Sequence, residues 1–94
     1  MRSKNSKAIS RAESEHLRKV KESGCAVCGA GVGAVVQAHH IQQGLHYTTV
    51  ALCPDCHTGP MGIHGDKTMW RIFKINEMEA LNETLRRVIT GEGK

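Results

Sequence analysis

The sequence has very few aromatic residues. Its 94 residues include one Trp, one Tyr and one Phe, and aromatic residues make up 3% of the chain. A chain of this length buries too little apolar surface to be comfortably stable without a further source of stability. We expect Trp70 and Phe73 to supply nearly all of the bulky core. The sequence therefore predicts one small domain that a metal, a disulfide pair or a partner stabilises.

Long apolar segments are also missing. No run of 18 apolar residues occurs, so the sequence predicts no membrane-spanning helix. The first ten residues, MRSKNSKAIS, are charged and lack the apolar segment of a secretory signal. We therefore expect a cytoplasmic protein with reduced thiols, in which four cysteines bind metal rather than form disulfides.

The positive charge is concentrated in the first 22 residues. This segment has three acidic residues and seven basic ones, a net charge of 7 − 3 = +4, and the residues after Ser23 have six bases and six acids. Such an arm suits a polyanion such as nucleic acid, although it could also be a solvated tail that aids solubility. The candidate DNA-binding residues are Arg2, Lys4, Lys7, Arg11, Arg18, Lys19 and Lys21.

The periodicity of the chain predicts a small α+β fold. Residues 1–9 are expected to be a disordered basic arm, and residues 10–94 a single domain. Ser10 and Glu13 form a capping-box pattern that predicts a helix over 10–22. Residues 34–40 and 46–52 are predicted strands of a hairpin. Apolar residues at helical spacing predict helices over about 67–75 and 77–90, within a helical region that spans 66–90, and we expect this region to pack in the core.

Two Cys-x-x-Cys pairs are the most specific motif. Cys25 and Cys28 form one pair, Cys53 and Cys56 the other, and 24 residues separate them. Each pair places two thiolates close enough to share an ion, so the four predict a closed structural Zn²⁺ site within a region of knuckles and hairpin over 25–57. Binding of that ion would add to the stability of the fold. A redox-active pair or two disulfides are the alternatives.

Four histidines cluster around these cysteines in the sequence. They are His39, His40, His57 and His64. Because four thiolates complete the coordination of zinc, these histidines are free for a second site, as metal ligands or as a general base. They could instead be polar residues of a hairpin. We expect His16 to be a surface residue, and the sequence assigns no role to His46.

The order of these motifs resembles that of the HNH endonucleases, which have a ββα-metal (His-Me finger) fold. The resemblance covers about residues 25–66, and the segments AHHI, TVALCPDCH and GIHGD, followed by a helix with Trp and Phe, are most similar to the phage Ref (recombination enhancement function) group. This resemblance implies a phage-encoded nuclease in the bacterial cytoplasm that hydrolyses DNA in recombination or repair. It also implies a RecA filament as a partner.

The resemblance assigns roles to individual residues. His39 would ligate a catalytic divalent ion, Mg²⁺ or Mn²⁺, and His40 would be the general base that activates water. In colicin-type nucleases two more histidines follow, and Ile63-His64-Gly65 is similar to the second of these, so His64 is a further expected ligand. His57 is expected to be a third ligand or to support the ligands.

Three positions qualify these assignments. Many HNH enzymes have Asn where this chain has Thr48, and we expect Thr48 not to bind metal. Asp66 is expected to cap a helix rather than bind the ion. Neighbouring residues of a strand point to opposite faces, so His39 and His40 can reach one phosphate only if the strand bends or ends there.

A second interpretation has no catalysis. A zinc-ribbon DNA-binding module would also explain the four cysteines and the basic arm, and the missing Asn and the short chain favour it. A redox protein would need a Cys-x-x-Cys motif beside a βαβ pattern, which the sequence lacks. The number of metal ions bound by each chain distinguishes the first two interpretations.

Overall fold

A short antiparallel hairpin lies at the centre of the fold. The computed structural model describes residues 9–29 and 35–91. Within them, helix α1 (Arg11–Glu22) precedes strands β1 (Gln37–His40) and β2 (Thr49–Leu52), and helices α2 (Pro54–His57), α3 (Thr68–Ile72) and α4 (Glu77–Thr90) follow. His39 pairs with Val50 and His40 with Thr49. The α+β class predicted from the sequence is thus confirmed, with both strands shorter than predicted.

Two capping boxes fix where the longer helices begin. The Ser10 hydroxyl accepts the Glu13 N–H at 3.0 Å, and the Glu13 carboxylate accepts the Ser10 N–H at 2.9 Å. Asn76 and Glu79 make the same reciprocal pair at α4. Because each box satisfies amides that the helix leaves without intrahelical partners, both helices start where the sequence predicts.

The outer edge of β2 is covered by other segments. The Ala51 N–H donates to the Thr84 hydroxyl of α4 at 3.2 Å, and the Ala51 carbonyl accepts the Ala26 N–H at 2.8 Å. All four β2 residues are buried as a result. This edge is therefore closed to pairing with another chain, and the segment that carries Cys25 is hydrogen-bonded to the hairpin.

Arg87 holds the start of that segment against α4. Its Nε donates to Glu83 at 2.7 Å, and its Nη1 donates to the carbonyls of Ser23, Gly24 and Cys25 at 3.1–3.4 Å. Cationic groups near the C-terminus of a helix interact favourably with its unpaired carbonyls. One guanidinium thus joins the end of α1, the first Cys-x-x-Cys pair and α4.

The core contains Trp70 but not Phe73. The Trp70 side chain is 4% exposed, and its indole N–H donates to the Cys56 carbonyl at 2.9 Å. Phe73 is 46% exposed, so its predicted core position is wrong. The physical reason is that α3 has only five residues, and the chain reverses at Lys74, which has a φ of +54°. Residues beyond that reversal pack through Ile75, Ala80 and Leu81 instead.

The remaining predicted elements differ in detail. Within the region of knuckles and hairpin predicted over 25–57, residues 54–57 form the one-turn helix α2, with Pro54 in its first turn. The helix predicted over about 67–75 is shorter, Thr68–Ile72, and the disordered arm predicted over 1–9 lies outside the described residues except for Ile9. Among the described residues, no helix is long and apolar enough to cross a membrane.

We predict that Thr84→Val lowers the free energy of unfolding by about 1–3 kcal/mol, because it leaves the buried Ala51 N–H without an acceptor. Urea denaturation followed by circular dichroism measures the change. Thr90→Val is the matched control, since the Thr90 hydroxyl makes the same type of bond to the carbonyl four residues earlier but is exposed. Its expected effect is within about 0.5 kcal/mol. Equal losses in the two variants would contradict the role assigned to Thr84.

Candidate metal centres

The four cysteines converge at one point between α1 and α2. Cys25 and Cys28 follow α1, Cys53 precedes α2, and Cys56 lies within it. None forms a disulfide, and their sulfur atoms all lie within 4.8 Å of one another. Cys25 and Cys56 are fully buried. The packing of α2 beneath the hairpin therefore brings the two predicted pairs into one cluster.

The geometry of this cluster is compatible with zinc. Four sulfurs at about 2.3 Å from a tetrahedral zinc ion lie about 3.8 Å apart, and the Cys28 and Cys53 sulfurs are 3.6 Å apart. Burial opposes ionisation of Cys25, yet backbone hydrogen bonds from Cys53, Cys28 and Val27 hold its pKa below the ordinary value. Burial and the charge of Cys25 raise the pKa of Cys56. A divalent cation would offset this repulsion between thiolates, so the donor set fits the ion.

Three histidines form a separate group. His39 lies on β1, His57 ends α2, and His64 lies in the following turns. One ring nitrogen of each histidine lies within 4.8 Å of a ring nitrogen of the other two, and the ring centroids are 4.9–5.1 Å apart. His39 is 6% exposed, whereas His64 is exposed. A group of three imidazoles with one open side can hold a metal ion and leave a position for another ligand.

A return of the chain over α2 brings His57 and His64 together. The Ile63 N–H donates to the Cys56 carbonyl at 2.9 Å, and the His64 N–H donates to the His57 carbonyl at 3.1 Å. Gly62 permits this close approach, because a Cβ there would lie 2.6 Å from the His57 oxygen. These turns place the rings of His57 and His64 4.9 Å apart, whereas a regular helix would separate residues seven apart by roughly 10 Å along its axis.

Hydrogen bonds orient two of the three rings. The Gln37 side-chain oxygen accepts a hydrogen bond from His57 Nδ1 at 2.7 Å, so the lone pair of His57 lies on Nε2. Burial lowers the pKa of His57, and the nearby His39 and His64 lower it further, which keeps the ring neutral. Glu77 Oε2 lies 2.6 Å from His39 Nε2. Partners of this kind fix ring orientation and ligand basicity in metal sites.

His40 lies outside this group and has a different partner. Its Nε2 is 3.0 Å from His46 Nδ1, and the two ring centroids are 5.1 Å apart. Burial lowers the pKa of His40, as do His46 and His39. The alternation of side chains along β1 thus separates the two adjacent histidines. β1 ends at His40, as the sequence argument required for both residues to reach one phosphate.

The other candidate residues lie away from both groups. The Thr48 hydroxyl donates to the Leu45 carbonyl at 3.3 Å, and Asp66 accepts the Thr68 N–H at 3.0 Å and its hydroxyl at 2.7 Å. These hydrogen bonds from Thr68 lower the pKa of Asp66. Asp66 therefore supports the start of α3, as predicted. His16, expected at the surface, is half-buried against Tyr47, and its Nε2 has no hydrogen-bond partner in the described part of the chain.

The basic arm is only partly described. Arg2, Lys4 and Lys7 lie outside the described residues, whereas Arg11, Arg18, Lys19 and Lys21 lie exposed on α1. Arg18 forms ion pairs with Glu15 and Glu22. Residues 11–22 have four bases and three acids, so α1 itself has a net charge of 4 − 3 = +1. Most of the predicted charge excess of the arm therefore belongs to the residues before α1.

Sequence reasoning missed three residues that contact the histidines. They are Gln37, His46 and Glu77. Gln37 lies two residues before His39, on the same face of β1, and this spacing was a usable signal. Glu77 is 38 residues from His39 in the sequence, and no local pattern connects them. Comparison of the chain with protein families, curated proteins and solved structures gave no match.

We predict that Cys56→Ser abolishes zinc binding at the cysteine cluster and with it cooperative thermal unfolding. Loss of a structural ion removes a large part of the folding free energy of a small domain. Elemental analysis and calorimetry measure the two effects. Asp55→Asn, an exposed change between Cys53 and Cys56, should retain both zinc and the unfolding transition. Retention of zinc and of the melting temperature in Cys56→Ser would contradict the assignment.

We predict that wild type binds two Co²⁺ ions per chain and that His64→Ala binds one. His64 is exposed, so its loss should change the melting temperature little while removing one of three ligands. Absorption titration separates the ions, because only the ion at the cysteines gives sulfur-to-metal charge-transfer bands. His46→Ala is the control and should still bind two ions. One ion in the wild type would contradict a second site.

Proposed function

We propose that the protein is a metal-dependent DNA endonuclease of the HNH type, with a ββα-metal fold. The observation that carries this proposal is the convergence of His39 of β1 with His57 and His64, in a group separate from the cluster of four cysteines. A ribbon that only needed zinc for stability would have no use for a second set of three ligands. His40, at the end of the same strand, adds a basic group beside that set.

The imidazole set bears on which ion would bind. Three neutral nitrogens suit Zn²⁺, Ni²⁺ or Fe²⁺ better than Mg²⁺, which prefers oxygen ligands. Mg²⁺ or Mn²⁺ therefore stays a prediction from the resemblance, to be tested beside these ions. An ion bound there would act as a Lewis acid towards the 3′-oxygen that leaves phosphorus.

The other roles fall to residues of the chain. His40 Nε2–H can donate to His46 Nδ1, which leaves His40 Nδ1 with a lone pair that can accept a proton. In the proposed reaction His40 Nδ1 takes a proton from water as the water oxygen bonds to phosphorus. The bond from phosphorus to the 3′-oxygen breaks, and that oxygen is protonated from solvent. The products are a 5′-phosphate and a 3′-hydroxyl.

This arrangement requires the scissile phosphate to lie across the end of β1. His39 and His40 lie on opposite faces, so only a group at the strand end is within reach of both sides. His40 is half-buried, and the residues that follow it form turns around Gly44, which has a φ of +90°. The exposed His64 leaves the side of the three-histidine group open to such a phosphate.

A non-catalytic zinc-ribbon DNA-binding module is the second candidate. The separation of His40 from the three-histidine group favours it, as does the absence of Asn at Thr48. In this case the cysteine cluster would stabilise the fold, and the basic arm would bind DNA. The two candidates differ in whether phosphodiester bonds are cut.

We predict that wild type cleaves plasmid or single-stranded DNA and that His40→Ala reduces cleavage by at least about 100-fold, the usual contribution of a general base. The assay compares Mg²⁺, Mn²⁺, Zn²⁺ and Ni²⁺, with and without a RecA filament. A requirement for the filament would support the Ref-type role in phage recombination or repair.

Two further measurements make the cleavage test decisive. His16→Ala removes a histidine that belongs to neither group and should cleave as wild type does. The melting temperature of His40→Ala should match that of wild type, since the ring is at the edge of the hairpin. Full activity in His40→Ala would exclude it as the base, and no cleavage by wild type in any condition would favour the non-catalytic module.

A further inference from the structure

A groove lies between α3 and the start of α4, beside the three-histidine group. Its volume is about 660 Å³. One wall has three basic residues, Lys67, Arg71 and Lys74, and the apolar side chains of Ile63, Ile75 and Met78 form part of its lining. The DNA contacts predicted from the sequence lie on the N-terminal arm, and none of them lies on this wall.

The three basic residues lie along one side of a short helical segment. The Arg71 N–H donates to the Lys67 carbonyl at 3.1 Å, and the Lys74 N–H donates to the Arg71 carbonyl at 3.2 Å. They are therefore about one helical turn apart, and all three are exposed. A row of cations at this spacing presents a continuous positive edge to the groove.

The charge of this wall is only partly balanced, since Arg71 also interacts with the Asp66 carboxylate. Among the described residues, neither Lys67 nor Lys74 has an ion-pair partner. Arg71 donates to the Asp66 carbonyl at 2.8 Å and to the Thr68 hydroxyl at 3.2 Å, both uncharged acceptors. The two acids of the lining have other partners, since Glu77 contacts His39 and Glu79 caps α4. The groove thus has cations available for an anionic ligand.

Both lysines have a strained backbone. Lys67 has a φ of +65° and Lys74 a φ of +54°, a region that glycine occupies at lower energy. They flank α3 on either side, and both side chains line the groove. Non-glycine residues with a strained backbone are concentrated at functional sites, where the role of the side chain compensates for the cost of the strain.

The groove also adjoins the proposed catalytic centre. Glu77 lines it and contacts His39, and Ile63 lines it and directly precedes His64. An anionic chain seated along the basic wall would continue towards the open side of the histidines. A nucleic acid strand has phosphates at regular intervals for the cations and apolar sugar and base faces for the lining.

We propose that this groove binds the backbone of the DNA strand next to the scissile phosphate, with Lys67, Arg71 and Lys74 contacting its phosphates. The inference rests on the proposed function, because it takes DNA as the substrate. It specifies which surface of the domain holds that substrate. The arm would then add contacts at a distance from the site.

The test measures the affinity for a fluorescent oligonucleotide as a function of salt concentration. All proteins have the His40→Ala background, so that the probe is not cut. Lys67→Ala and Lys74→Ala each remove one charge without adding strain, since alanine and lysine meet similar restrictions at positive φ. Arg86→Ala removes one charge from an exposed position on α4 that does not line the groove.

We expect each groove variant to reduce the slope of log affinity against log salt by about 0.9, the value for one phosphate contact on duplex DNA. The double variant should reduce it by about twice that amount, and Arg86→Ala should leave it unchanged. Equal slopes for the groove variants and Arg86→Ala would overturn the inference about the groove. The nuclease proposal would not be affected, because the cleavage assay tests it separately. If the His40→Ala protein with an otherwise unchanged groove did not bind DNA, both the nuclease proposal and the groove proposal would be overturned.

Sedimentation of the same variants tests whether another occupant fits the groove. The apolar lining could instead seat a second copy of the chain. If the groove variants changed self-association and left DNA binding unaltered, the groove would be a contact between copies and not a DNA site.

Discussion

Convergence of four thiols at one point organises the rest of the molecule. The cysteine cluster joins the segment that follows α1, the end of β2 and helix α2. Burial raises the pKa of Cys56, and the nearby Cys25 raises it further, so a cation bound among the sulfurs would stabilise the arrangement. The core around it has one large aromatic side chain, Trp70, whose indole is hydrogen-bonded to the Cys56 carbonyl. A zinc ion bound at this cluster would add to the stability of so small a core.

The histidine group shows how the same convergence brings together a second set of side chains that could hold a metal ion. α2 carries both Cys56 and His57, so the turn that completes the sulfur cluster also directs an imidazole towards β1. The loop after α2 then folds back through Gly62 and brings His64 to the same place. Oxygen atoms of Gln37 and Glu77 accept hydrogen bonds from the rings of His57 and His39 and hold them in place. The three histidines thus come from a strand, a single helical turn and the loop that follows this turn.

Local patterns predicted much of this fold. The capping boxes at Ser10 and Asn76, the paired cysteines and the glycine-rich turns each act within a few residues, and each was readable in the sequence. The contacts that were missed join distant segments. Glu77 reaches His39, Arg87 reaches the carbonyls before Cys28, and Thr84 reaches β2. Helical spacing predicted that Phe73 packs in the core, but α3 ends at Ile72, so Phe73 does not continue the buried face of the helix. Periodicity describes a face only as far as the helix continues.

The shortness of β1 has a consequence for evolution and for engineering. The strand has four residues, and adjacent histidines serve its two faces. A slip of the hairpin by one residue would exchange His39 with His40, placing each ring on the side that the other occupies. The buried residues of β2 and the hydrogen bonds that Ala51 makes with Thr84 and Ala26 hold this register, and Cys53 directly follows the strand. A substitution that loosened the end of β2 would therefore act on the register that keeps the two histidine environments apart.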